Sequence, residues 1–204
     1  MVVLKNIIFD LGGVLLDVDY NKTNEAFKNM GFKHFEKMYS QYTADKLFEK
    51  LETGHISEED FYKQLLHQQE GIKAADITEA WNAMLMDFRL SSLAYLSQLR
   101  SRFQLFLLSN TNIIHQAAFH DLFREQTGYK SLSEMFTTAW YSNEVGFRKP
   151  NKAIYEFVIQ DSGIRSEETL FIDDSYNNIE TAKQLGFKTH LLVRGEKIED
   201  LIYE

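Results

Sequence analysis

Short apolar runs that end in polar residues recur along the chain and predict buried parallel strands. Uninterrupted apolar runs of this length are typical of strands that are covered on both faces. A weaker candidate strand spans residues 135–140. The four clear runs, each with the polar residues that follow it, are Ile7-Ile8-Phe9 before Asp10, Leu105-Phe106-Leu107-Leu108 before Ser109-Asn110-Thr111, Leu170-Phe171-Ile172 before Asp173-Asp174-Ser175, and Leu191-Leu192-Val193 before Arg194-Gly195.

The segments between these runs carry apolar residues at helical spacing. They predict helices over residues 91–101, 112–125, 151–161 and 177–185. Pro150 suits the first turn of the third helix, and Gly186 suits the C-terminal end of the fourth. Because strands alternate with helices, the pattern predicts an α/β fold built on a parallel sheet.

Residues 18–90 interrupt this alternation, since they contain no clear strand. Helices are expected over residues 21–29, over residues 61–68 behind an N-cap at Ser57, and from Asp76 through Met86. We therefore predict a main domain formed by residues 1–17 and 91–204, with a helical cap, residues 18–90, inserted after the first strand.

Composition and charge narrow the classes of function. The 204 residues include no Cys, which excludes a disulfide scaffold, a thiolate metal site and a cysteine nucleophile. A formal net charge of −8 argues against nucleic acid or an anionic membrane as a partner. No apolar segment is long enough to span a membrane, and Lys5 and Asn6 interrupt the N-terminal apolar stretch. We expect a cytoplasmic protein; its oligomeric state does not follow from the sequence.

The polar groups that follow the strands suggest a phosphate site. Ligands of open parallel sheets bind beyond the carboxyl ends of the strands, so these groups are expected to converge. Crowded carboxylates repel one another, and a hard divalent cation such as Mg²⁺ relieves that repulsion. Lys149 adds a positive charge near a helix start, where the helix dipole disfavours cations. A bound anion would resolve that conflict. An aspartate in such a site can act as a nucleophile toward phosphorus. The converging groups are Asp10, Ser109, Asn110, Asp173 and Asp174.

Four motifs, in order and across nearly the whole chain, resemble those of the haloacid dehalogenase (HAD) superfamily of phosphohydrolases. The first motif and its continuation, residues 16–20, are similar to those of a bacterial subgroup that includes an α-D-glucose-1-phosphate phosphatase. The resemblance implies a Rossmann-like core with an inserted helical cap. The motifs are Phe9-Asp10-Leu11-Gly12-Gly13-Val14-Leu15, Leu108-Ser109-Asn110-Thr111, Gly146-Phe147-Arg148-Lys149-Pro150, and residues 171–179, which contain Asp173, Asp174 and Asn178.

The resemblance also implies a metal site and a nucleophile. Asp10 would attack phosphorus, and Asp10 and the backbone carbonyl of Gly12 would bind Mg²⁺. Asp174 would be a direct ligand, and Asp173 either a ligand or an acceptor from a water on the ion. Asn178 would orient this set.

By the same resemblance, three residues would hold the phosphoryl oxygens: Ser109, the backbone of Asn110, and Lys149. Lys149 and Mg²⁺ would offset charge between the anionic nucleophile and the anionic substrate, a small soluble phosphate such as a sugar phosphate. The neighbouring Arg148 is expected to be solvated.

Gly12 departs from the family pattern, because its phosphatases usually carry a second Asp there. That Asp protonates the leaving group, a contribution of ~10²–10⁴-fold. Three explanations stay open: a good leaving group, as in a sugar 1-phosphate; a substitute such as Asp17, Asp19 or a cap residue; or a weak or inactive enzyme. We expect a Mg²⁺-dependent phosphomonoesterase, with a phosphate-binding protein that does not turn over as the alternative.

Overall fold

The computed structural model describes residues 3–40 and 44–203, which contain seven strands and ten α-helices. The strands are β1 (Asn6–Phe9), β2 (Leu16–Val18), β3 (Leu85–Phe88), β4 (Gln104–Ser109), β5 (Thr138–Tyr141), β6 (Thr169–Asp173) and β7 (Lys188–Leu191). The helices are α1 (Tyr20–Asn29), α2 (Phe35–Met38), α3 (Lys46–Glu52), α4 (Glu58–Leu66), α5 (Ala74–Asn82), α6 (Leu90–Leu99), α7 (Ile113–Thr127), α8 (Ser142–Val145), α9 (Lys152–Ser162) and α10 (Tyr176–Gln184).

Five strands form a parallel sheet in the order β5-β4-β1-β6-β7. The central strand β1 is buried on both faces: Ile7 and Phe9 join an apolar cluster with α6 and α7, whereas Ile8 joins a second cluster with α9 and α10. Helices therefore cover both faces, which explains why the strands read as continuous apolar runs. The predicted α/β, Rossmann-like class is confirmed.

Helices α1–α5, which we call the cap helices, lie between β2 and β3 and pack around an aromatic cluster of their own. Trp81 is fully buried at its centre and contacts Phe27, Phe35, Phe48 and Phe61. Burial of these five large rings stabilises this region. The cap boundaries at residues 18 and 90 stay a prediction.

Several local predictions need correction. Residues 18–90 do contain a strand, β3, which pairs antiparallel with β2 through long-range hydrogen bonds that no local pattern reveals. The helix expected through Met86 ends at Asn82, and Asp76 is its third residue rather than its N-cap; the Asp76 carboxylate accepts the Lys73 N–H at 2.7 Å. Pro150 precedes its helix, because Asn151 is the N-cap of α9.

Other local predictions are confirmed. Ser57 caps α4 by accepting the Asp60 N–H, and Gly186 follows α10 with a positive φ of 86°. The last strand, in contrast, needs correction: the expected run was residues 191–193, and the strand spans Lys188–Leu191. Within the described residues, none of the helices combines the length and hydropathy that crossing a lipid bilayer requires.

Candidate active site

Three strands of the sheet bring their carboxyl ends to one place. Because β1 lies between β4 and β6, Asp10 lies level with Asp173 on one side and one residue short of Ser109 on the other. The backbone N–H of Asp10 donates to the Ile172 carbonyl at 2.9 Å, which fixes Asp10 at the end of β1. The predicted convergence of these groups on one edge of the sheet is therefore observed.

Lys149 lies in the centre of this cluster, with only 1% of its side chain exposed. Its Nζ is 2.8 Å from Asp10 Oδ1, 2.7 Å from Asp173 Oδ2 and 2.8 Å from the Leu108 carbonyl. These three acceptors use all three ammonium protons. Burial by itself would lower the pKa of Lys149, but the carboxylates of Asp10 and Asp173 raise that pKa above its usual value. Lys149 is therefore a fixed positive charge.

The side chain of Asn110 holds the backbone of Lys149. Asn110 Oδ1 accepts the Lys149 N–H at 2.8 Å, and Asn110 Nδ2 donates to the Lys149 carbonyl at 2.8 Å. This amide is thus engaged in positioning, which leaves the backbone N–H of Asn110 as the group able to meet a phosphate. Ser109 is buried, and its hydroxyl donates to the Asn110 carbonyl at 3.3 Å.

Asp173 is fully buried and accepts hydrogen bonds at both carboxylate oxygens. Oδ1 accepts the Ser175 N–H at 2.8 Å, and Asn178 Nδ2 lies 3.0 Å from each oxygen. Together with Lys149, these donors fix the position of the Asp173 carboxyl group. Asn178 has the orienting position that the sequence suggested.

The three carboxylates fit a hard divalent cation. One oxygen each of Asp10, Asp173 and Asp174 lies within 4.8 Å of the others. Burial, with repulsion from Asp173 and Asp174, raises the pKa of Asp10 to about 7 despite the opposing charge of Lys149. Burial and the Asp173 charge raise the pKa of Asp174 to about 6. A single lysine does not offset this crowding, and oxygen ligands of this kind suit Mg²⁺.

The Asp174 carboxylate packs directly on the backbone of Gly13. A Cβ at position 13 would lie 2.2 Å from Asp174 Oδ2 and 2.5 Å from its Cγ, and Gly13 has a φ of +72°. Only glycine therefore allows the loop after β1 to pass under this carboxylate.

A cavity of about 140 Å³ opens above the carboxylates. The cap helices and the loop after α2 contribute polar groups that the sequence did not single out, namely Tyr39, Ser40 and Glu52. Tyr20 of α1 also lines it, whereas Thr23 and Phe48 are buried among the cap helices. The core side is formed by Asp10, Gly12, Asn110, Arg148, Lys149, Pro150, Asp174, Ser175, Asn177 and Asn178.

Arg148 is not a solvated neighbour of Lys149, as the sequence suggested. Its Nε lies 2.7 Å from Glu52 Oε2, and the two side chains are 23% and 3% exposed. Tyr39 donates its hydroxyl to Glu52 Oε1 at 2.8 Å. The ion pair joins α3 to the loop that carries Lys149, which a sequence pattern cannot predict because the partners are far apart along the chain.

Residues 4–186 match the family model of the haloacid dehalogenase-like hydrolases. The chain belongs to the haloacid dehalogenase-like hydrolase family. This confirms the family that the four motifs indicated and makes the chain an enzyme of the hydrolase class. The finer assignment to the glucose-1-phosphate phosphatase subgroup stays a prediction.

A curated protein and a solved structure, both from Bacteroides thetaiotaomicron, are similar to this chain along almost their whole length. A D-ribitol-5-phosphate phosphatase is 34% identical over 190 residues, covering 91% of this chain and 90% of that protein. A HAD family enzyme, crystallised as a mutant with magnesium and inorganic phosphate, superimposes with a TM-score of 0.89 at 32% identity, covering 97% and 98% of the two chains. A HAD-like hydrolase from Porphyromonas gingivalis gives a TM-score of 0.85 at 35% identity, with 95% and 93% covered.

Two acidic residues considered as substitutes for the missing family Asp at Gly12 are engaged elsewhere. Asp17 is 54% exposed and lies 2.7 Å from Arg89 Nε. Asp19 is the N-cap of α1 and accepts the Asn21 N–H at 3.0 Å. Neither lines the cavity. In this HAD-like chain, a substitute proton donor would therefore have to come from the cap helices or the loops beside them.

Proposed function

We propose that this chain is a Mg²⁺-dependent phosphomonoesterase that acts on a small sugar or polyol phosphate through a phosphorylated Asp10. The observation that carries the proposal is the arrangement of Asp10 beside a buried Lys149 in a three-carboxylate site beneath a small polar cavity. The comparisons support it, since a similar protein is a D-ribitol-5-phosphate phosphatase and a similar crystal structure holds magnesium and inorganic phosphate.

In this proposal the metal is held by Asp10, the backbone carbonyl of Gly12, and Asp174, with Asp173 beside them. When bound, Mg²⁺ supplies Lewis-acid stabilisation of the negative charge on the transferring phosphoryl group. Asp173 also serves Lys149, because both of its oxygens already accept hydrogen bonds. It is therefore assigned a positioning role as well as a place in the metal site.

The chain's own residues then carry out two displacements. A carboxylate oxygen of Asp10 forms a bond to phosphorus, the bond from phosphorus to the leaving alcohol oxygen breaks, and that oxygen takes up a proton. Water next attacks phosphorus, loses a proton and releases inorganic phosphate, which returns the Asp10 carboxylate. The Ser109 hydroxyl and the Asn110 N–H hold the phosphoryl oxygens in both steps, where fixed donors in a dry site are most effective. Lys149 supports them through its buried positive charge, and it moves a proton to a phosphoryl oxygen only by giving up one of its three present acceptors.

Phosphate release from a panel of sugar and polyol phosphates, with Mg²⁺ or with EDTA, tests this proposal. Asp10→Asn should abolish release, by at least about 10³-fold, because the amide is a poor nucleophile. Asp121→Asn is the matched control, since Asp121 is an exposed carboxylate that pairs only with Arg124 among the described residues.

Release that does not require Mg²⁺, or that survives Asp10→Asn, would contradict the proposal. Absence of release from the wild type, with phosphate esters still bound, would instead favour the phosphate-binding alternative that Gly12 raises.

A further inference from the structure

The ion pair between Glu52 and Arg148 contains unused hydrogen-bonding capacity at the cavity. Their 2.7 Å separation brings opposite charges together, but neither Glu52 Oε2 nor Arg148 Nε has a well-directed hydrogen-bond partner within the described part of the chain. Both atoms are buried, and both residues line the cavity above Asp10. Buried polar atoms are nearly always hydrogen-bonded, so this pair is a candidate for contact with a ligand.

The surroundings hold Glu52 in place. Its other oxygen, Oε1, accepts the Tyr39 hydroxyl at 2.8 Å, and its backbone ends helix α3. The ring of Tyr39 is itself fixed by Trp81, with centroids 4.5 Å apart. A carboxylate held rigidly in this way loses little entropy when it binds a further donor.

The charges of the pair indicate which chemical class fits. Lys149 is already occupied by carboxylates, and the charge of Arg148 is offset by Glu52. Among the described residues that line it, this part of the cavity therefore has no uncompensated cation to attract a second phosphate or a carboxylate. It offers a carboxylate acceptor and a guanidinium donor side by side, which matches neighbouring hydroxyl groups.

We infer that Glu52 and Arg148 form a hydroxyl subsite, in which Glu52 Oε2 accepts a hydrogen bond from one hydroxyl of the leaving group and Arg148 Nε donates to another. This rests on the proposed function and deepens it, because the subsite selects neutral polyhydroxylated leaving groups over apolar or anionic ones. A site built to bind hydroxyls rejects analogues that lack them, since its buried polar groups are then left unpaired.

Two phosphate esters with the same carbon number isolate the contribution of the leaving group's hydroxyls: D-ribitol 5-phosphate and n-pentyl phosphate. Both are phosphates of a primary alcohol, and only the first carries further hydroxyls. The wild type should prefer the ribitol ester in kcat/KM, and Glu52→Gln should lower that preference by about 10- to 100-fold, mainly through KM. Glu49→Gln, an exposed change of equal charge on the same helix, is the control and should keep the preference.

Arg148→Lys provides a second, charge-conserving variant and should also reduce the preference. An unchanged preference in folded Glu52→Gln would overturn the subsite. An equal loss of kcat/KM on both esters would also overturn it, because it would show that the ion pair is purely structural. If the wild type hydrolyses neither ester, the proposed function fails on its own. Calorimetry then measures the Kd of each ester for the wild type and for Glu52→Gln. The ratio of the two Kd values should change in Glu52→Gln if the subsite exists.

Discussion

Replacing Gly13 by alanine tests how the metal site depends on backbone geometry. The new Cβ would lie 2.2 Å from Asp174 Oδ2 and 2.5 Å from its Cγ, far inside contact distance. The carboxylate must therefore rotate away from the position it shares with Asp10 and Asp173. The substitution leaves every side chain of the site in the sequence, so its effect comes from geometry alone.

Two effects are expected, and a second glycine separates them. Gly13 and Gly128 have nearly the same φ, +72° and +74°, but a Cβ at Gly128 would meet nothing within 4 Å. Gly128→Ala therefore measures the backbone strain alone, about 1–2 kcal/mol for an alanine in the left-handed region. For a chain of this size that strain lowers Tm by roughly 2–8 °C. Gly13→Ala should show this loss and, in addition, lose the metal response.

The assay is thermal unfolding with and without Mg²⁺. A cation at 100 times its Kd stabilises the folded state by about 2.7 kcal/mol, which corresponds to a rise in Tm of roughly 5–11 °C. Wild type and Gly128→Ala should show this rise, whereas Gly13→Ala should show little of it and little turnover. A full Mg²⁺ response in Gly13→Ala would refute the assignment of Asp174 to the metal.

Two further predictions concern buried charge. Lys149→Met should lower the free energy of unfolding, measured in urea at pH 8, by about 3–5 kcal/mol and abolish turnover, because it leaves buried carboxylates without their cation. The control is Lys152→Met, since Lys152 is exposed. A loss of less than about 1 kcal/mol in Lys149→Met would contradict this prediction. Burial lowers the pKa of His115 to about 4, below its unfolded value of 6.5. The buried neutral imidazole therefore contributes its full stability above pH 6.5, and this contribution is lost as the pH falls toward 4. Between pH 6.5 and 5, His115→Gln should therefore show a shallower pH dependence of the unfolding free energy, by about 1 kcal/mol per pH unit on average. An unchanged slope would show that His115 is not buried as a neutral group.

The catalytic edge of the fold was predictable because its signal is local. Each strand of the sheet core is covered on both faces, so it appears as a continuous apolar run, and the first polar residue after the run marks the carboxyl end of the strand. Asp10, Ser109 and Asp173 could be placed together on that basis alone. Their assignment to a phosphate site required the further information in Lys149 and in the resemblance of all four motifs to a family.

The part of the site contributed by the cap could not be predicted in this way. Glu52 lies on an amphipathic helix whose other carboxylate, Glu49, is exposed, and nothing in the local sequence distinguishes the two. Strands β2 and β3 are short and pair across the whole cap, so their hydrogen bonds depend on tertiary structure. The burial of Arg148 likewise depends on its partner from α3 rather than on its neighbours in sequence.

Gly12 leaves a question about protonation that the leaving group can separate. An anomeric phosphate leaves readily with little protonation, whereas the primary alcohol of a polyol phosphate needs a donor. In the cavity described above, Tyr39 already donates to Glu52, while burial and then the charges of Asp174, Glu52 and Asp10 raise the pKa of Tyr20. The Tyr20 phenol therefore stays protonated, and Tyr20 lines the same cavity as Asp10, Asp174 and Glu52. Faster phosphate release from a sugar 1-phosphate than from ribitol 5-phosphate would support the leaving-group explanation. The reverse order would require a proton donor. A loss of activity in Tyr20→Phe on ribitol 5-phosphate, but not on the sugar 1-phosphate, would identify Tyr20 as that donor.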